Sequence, residues 1–97
     1  MGCGVSETVI EKAIDTYGWE LQTIVAIEEM SELTKELTKY LRGIGVRKHL
    51  IEEVADVIIC LEEILKIYKL DDKEINLAIE QKIKRLEDRI CQNATIG

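Results

Sequence analysis

The sequence predicts an all-α fold: four helices in a bundle that self-associates through its apolar helices. Three observations carry this. The 97-residue chain has no proline and six glycines, so few positions break helical hydrogen bonding. Leu, Ile, Glu and Lys dominate its composition. Its apolar residues recur at spacings of three and four rather than in alternation. A chain of this length is one domain, residues 1–97, and it leaves much of its surface exposed as a monomer.

The first helix is expected from about Glu7 to Tyr17, with Ser6 as its N-cap and Gly18 as its stop. The second runs from about Glu20 to Leu41 and ends at the Gly43 and Gly45 pair. The third spans about Lys48 to Lys69. Val54, Val57, Ile58, Cys60, Leu61 and Ile64 are among the residues that make it apolar around most of its circumference, so it calls for neighbours on several sides. A four-helix chain can hardly supply them all, which is the reason to expect self-association. The fourth helix opens with Asp71 as N-cap, Glu74 completing a capping box, and Leu70 with Ile75 as a hydrophobic staple. It carries a single stripe, Ile75, Ile79, Ile83, Leu86 and Ile90, and runs to about Asn93, leaving 94–97 as a tail.

Residues 1–5 read as a flexible N-terminal tail. The opening "MGCGVS" also fits an N-terminal acylation template, with Cys3 as a second lipid site, but Glu7 and Glu11 follow where a basic anchor would be needed. The three cysteines, Cys3, Cys60 and Cys91, have no metal-ligand spacing. With no secretory signal or membrane-length apolar run, they point to a reducing, cytoplasmic setting and to no membrane partner. The net charge of -6 disfavours nucleic acid as a partner.

The second helix sets Glu29 and Glu32 three residues apart at the edge of a face that reads Val25, Glu29, Leu33, Glu36, Tyr40. The third repeats the device with Glu53 and Asp56, three apart at the edge of a face of Leu50, Glu53, Val57, Cys60 and Ile64 that holds Glu53 within it. An ionised carboxylate taken out of water without a partner costs several kcal/mol, so converging pairs need something positive between them. Carboxylates with no histidine or cysteine among them suit a hard divalent cation, Mg2+ with Mn2+ as the alternative, rather than zinc. The competing reading is a pair of solvated helix edges. A di-iron site is a poor match, because the single histidine, His49, does not follow a glutamate at the required spacing.

"EEMSE" followed by "EEVAD" resembles the E-x-x-E and E-x-x-D signature of the MazG-like, all-α nucleoside triphosphate pyrophosphohydrolases, with twenty residues between Glu32 and Glu53. "AIEEMSELTKEL" and "EEVADVIICLEEI" look like that family's core helices and "QKIKRLEDRI" like its basic fourth helix, so the resemblance covers Tyr17 to Ile90. It implies that Glu29, Glu32, Glu53 and Asp56 hold Mg2+ and act in catalysis. The implied reaction takes a (d)NTP or related nucleotide to the monophosphate and pyrophosphate, in nucleotide-pool control or house-cleaning. It also implies a homodimer or tetramer.

Lys82, Arg85 and Arg89 form one basic face suited to substrate phosphates. Trp19 is a candidate to stack on a base, although an aromatic at a helix junction is more often core. The alternative from another class is a catalytically silent helical oligomer acting as a protein-interaction module.

Overall fold

The helix boundaries follow from local chemistry at each end. A computed structural model describes residues 6–96, and among them it has four helices and no strand: α1 Glu7–Tyr17, α2 Trp19–Leu41, α3 Arg47–Ile67 and α4 Asp72–Ile96. The all-α class expected from composition holds, and the acylation pattern lies mainly outside the described residues. At the start of α1 the Ser6 hydroxyl accepts the Val9 N–H at 3.4 Å. Gly18 alone separates α1 from α2; its φ of 88° and ψ of 152° belong to a region that only glycine enters freely. Its N–H donates to Ile14 O at 2.8 Å, and its carbonyl accepts the Gln22 N–H at 3.1 Å, so one residue closes one helix and opens the next.

The second and third helices end alike. Ile44 N–H reaches back to Lys39 O at 3.0 Å across a left-handed Gly43, and Leu70 N–H reaches Leu65 O at 3.0 Å across a left-handed Lys69 (φ 52°). Both are Schellman closures. The second uses a lysine where glycine is the usual residue, and α3 stops at Ile67, two residues before the expected end. Asp71 Oδ1 then accepts the Lys73 N–H at 3.2 Å, which is the N-cap expected for α4. Helix α4 runs on to Ile96, through most of the segment expected to be a tail.

The packing is unequal. Helices α2 and α3 form an antiparallel pair with α1 laid across both. The pair is pinned at one end by a 3.0 Å hydrogen bond between the Thr23 and Tyr68 hydroxyls. Lys66 of α3 reaches Glu7 and Glu11 of α1 at 3.7 and 3.5 Å. Among the described residues the buried apolar ones are Ile10, Ala26 and Cys60, and no large side chain is fully enclosed.

Helix α4, by contrast, makes no extended contact with α1, α2 or α3. Its first turns and the end of α3 border a cleft of about 250 Å³, in which the Leu70 and Ile75 staple meets Leu61, Ile64, Leu65 and Ile79. Beyond that cleft the stripe is open, with Ile83 57% and Ile90 60% exposed. The molecule therefore measures 54 × 38 × 23 Å, with a radius of gyration of 16.8 Å. A compact chain of this length would have about 12.5 Å. No described helix is long and apolar enough to cross a membrane.

Candidate metal centre

The site grows out of the seam between α2 and α3. Gln22, Ala26, Glu29, Leu33 and Glu36 follow one another at four and three residues along α2, and Glu53, Asp56, Cys60 and Glu63 do so at three and four along α3. Such spacing keeps a residue on the facing side of a helix pair. In both helices, carboxylates occupy places that a simple bundle fills with Leu or Ile.

Glu29, Glu53 and Asp56 converge there, each offering one carboxylate oxygen, and these oxygens all lie within 4.8 Å of one another. Oxygens bound to a single Mg2+ at about 2.1 Å lie at most about 4.2 Å apart, so small side-chain rotations bring the trio to a shared cation. Among the described residues no Lys or Arg pairs with any of the three. Glu53 Oε2 is enclosed and has no hydrogen-bond partner. A carboxylate oxygen cut off from both water and donors is the local chemistry that a cation relieves.

Protonation reports the same strain. Burial raises the Glu29 carboxyl above its ordinary value, followed by the charge of Asp56, a hydrogen bond between those two carboxyls, and the charges of Glu53 and Glu32. Burial also leads at Glu53, with Asp56, Glu32, Glu36 and Glu52 adding to it. Cys60 lies along the same seam; burial, then Glu63, Glu29 and Asp56, push its thiol up to about 11. Without a metal it is a neutral, packed thiol.

The other predicted residues stand apart from the trio. Glu32 is exposed, with Lys35 at 3.9 Å, although its charge is felt at Glu29 and Glu53. Trp19 begins α2 and is 55% exposed. Lys82, Arg85 and Arg89 lie exposed on α4, which within one chain packs against neither α2 nor α3 along its length.

Two further carboxylates on the seam are more deeply buried than the trio. Glu36 uses Oε1 to accept from Lys39 at 3.3 Å and leaves Oε2 enclosed without a partner. Glu63 is 6% exposed, its Oε2 is likewise unpartnered, and burial raises its carboxyl. Glu63 was not singled out from the sequence. The signal was there: it falls seven residues after Asp56, as Glu36 falls seven after Glu29.

No known protein family, curated protein or solved structure matches this chain. The functional reading therefore rests on the residues themselves.

Proposed function

We propose that the chain is a Mg2+-dependent nucleotide pyrophosphohydrolase of MazG-like type, working as a homo-oligomer on a (d)NTP or related nucleotide. The observation that carries the reading is the trio itself: three carboxylates from two packed helices, within 4.8 Å of one another, with no Lys or Arg ion-paired to them among the described residues. Glu29, Glu53 and Asp56 are the residues that would hold the ion. A bound Mg2+ would polarise phosphoryl oxygens and let a polyphosphate approach a carboxylate cluster that would otherwise repel it.

The chain's own residues supply the rest. The α2/α3 pair fixes the three carboxylates from rigid elements, which keeps their spacing from drifting. Glu32, exposed on α2 with Lys35 at 3.9 Å, would orient the attacking water and take its proton. That water's oxygen would bond to the α-phosphorus as the α–β bridging bond breaks, releasing the monophosphate and pyrophosphate. Lys82, Arg85 and Arg89 would meet phosphate charge left over by the metal, and Trp19 offers an exposed face for a base.

The deciding experiment is pyrophosphate release from a panel of ribo- and deoxynucleoside triphosphates, with and without Mg2+, for the wild type beside Glu53→Gln. Metal-dependent release, lost by at least a hundredfold in the variant, supports both reaction and site. Undiminished release in the variant would sink the site assignment. No release from any nucleotide favours the second reading, a silent helical interaction module, for which the open apolar face of α4 is the specific observation.

A further inference from the structure

Residues 37–51 close α2, turn the chain and open α3; they hold Lys39, Arg42, Arg47 and Lys48 and not one of the chain's 19 acidic residues. A chain of net charge -6 thus carries +4 here and -10 elsewhere. Lys39 is shared with Glu36 at 3.3 Å, but among the described residues no acid pairs with Arg42, Arg47 or Lys48. Helix α1 meets α2 at Gly18, and α4 leaves α3 at Asp72, both at the opposite end of the pair. The 23 residues of α2 span about 34 Å, or about four Debye lengths at physiological salt. Acids at the far end are therefore screened from anything that meets this tip.

The same tip shows apolar side chains to solvent. Leu41 is 90% exposed, the most of any large apolar residue described, and Ile44 and Val46 follow at 57% and 49%. Their positions are preset. Gly43 N–H donates to Tyr40 O at 3.0 Å within the Schellman closure, and the Tyr40 ring lies so close over Gly45 that a Cβ there would overlap its Cδ2 and Cγ atoms. A turn held in this way loses little further freedom when it docks. It spans only residues 42–46 between two helix ends, so it is convex and offers no groove to a peptide. Nucleic acid would meet the arginines but give Leu41 and Ile44 no apolar medium. An anionic bilayer surface supplies both headgroup charge and an acyl boundary.

We infer that the α2–α3 tip docks this chain on an anionic lipid surface. Leu41, Ile44 and Val46 enter the headgroup region, and Arg42, Arg47 and Lys48 stay at its phosphates. Docking needs no helix that crosses the bilayer, so it is compatible with the lack of one among the described residues. Each Lys or Arg beside such a surface raises partitioning about fivefold. Three of them with three apolar side chains give a reversible, salt-sensitive association. This docking is independent of the reaction proposed above.

The test uses the full chain and vesicles of phosphatidylcholine with and without phosphatidylserine. Co-sedimentation should show binding only where phosphatidylserine is present, and added salt should weaken it. Arg42→Ala combined with Arg47→Ala should lower the partition coefficient roughly 25-fold, and Leu41→Ser should lower it at unchanged charge. These side chains are exposed, so the variants should keep the wild-type melting temperature and native mass. With the single native tryptophan removed by Trp19→Phe, Ile44→Trp should emit further to the blue on anionic vesicles and be quenched by brominated lipid. Equal binding to both kinds of vesicle, or none to either, overturns the inference. Capture of polyglutamate in preference to vesicles also overturns it, because the tip would then be a protein-docking surface. So does a changed native mass in the arginine variant, which would put the tip between subunits.

Discussion

The α2/α3 seam and helix α4 solve opposite problems. The seam is covered yet polar: it buries Gln22, Glu36 and Glu63 and sets Glu29, Glu53 and Asp56 side by side. Helix α4 is apolar along one face yet uncovered. A chain that put Leu at the seam and Glu on that face of α4 would gain stability as a monomer. The mismatch is therefore informative at both places. At the seam it points to something positive, and on α4 it points to something apolar.

The sharpest way to break this comparison is to truncate one isoleucine on each side. Ile10 is 4% exposed and is the buried residue through which α1 holds to the pair. The exposed Lys66 bridges to Glu7 and Glu11 add little. Ile10→Ala should cost about 2–5 kcal/mol in denaturant unfolding. Ile83→Ala should cost a similar amount if α4 is covered by a second copy. In a monomer it would cost only a few tenths, since Ile83 would keep its exposure. Equal losses support the covered α4, and a loss confined to Ile10→Ala would return α4 to solvent.

Metal comes next in size. If the trio binds Mg2+, the ion should stabilise the fold by about 2.7 kcal/mol at a hundred times its dissociation constant, read as a thermal shift. Glu53→Gln should abolish the shift. In chelator the same variant should melt above the wild type, because it removes one charge from a cluster whose members raise one another's protonation. A Glu53→Gln protein that is less stable than wild type without metal would show Glu53 to be held by a partner rather than opposed by its neighbours.

The pH dependence separates the trio from Glu63. All the shifted glutamates are raised above the ordinary value of 4.5. The folded state therefore holds these protons more tightly than the unfolded state. Their contribution to stability is largest at or below pH 4.5 and is lost as pH rises from there through the folded values. Saturating Mg2+ should remove the part due to Glu29 and Glu53 and leave the part due to Glu63. Chemical denaturation between pH 4.5 and 7.5, with and without metal, should thus show a residual slope that Glu63→Gln flattens. No change in slope for that variant would mean that Glu63 finds a partner in solution.

Much of this architecture could be read directly from the residues, and the limits have physical causes. Helix ends were legible because caps are local: Ser6, Gly18, Gly43 and Asp71 act through bonds spanning a few residues. The convergence of Glu29, Glu53 and Asp56 was legible because Glu29 and Glu53 each interrupt an apolar face and Asp56 follows Glu53 by three residues. Glu32 shares that spacing, but the helix turns it to solvent and Lys35. Periodicity gives a face, not its depth. For the same reason the stripe of α4 was plain in sequence, while its exposure beyond the α3 cleft, where no described helix packs along it, depends on the direction in which the α3–α4 turn sends it.

That turn offers the smallest and most selective change. Lys69 sits at a φ of 52° between the end of α3 and the Asp71 cap. A non-glycine residue there loses about 1 kcal/mol to the clash of its Cβ with the backbone. Lys69→Gly should therefore stabilise the chain, by somewhat less than that figure because glycine also loosens the unfolded state. It should leave the Leu70-to-Leu65 hydrogen bond in place and α4 on the same course, so oligomer mass and metal response should stay as in wild type. A variant that gains stability while losing the oligomer would show that the lysine side chain, not the backbone bend it tolerates, sets where α4 goes.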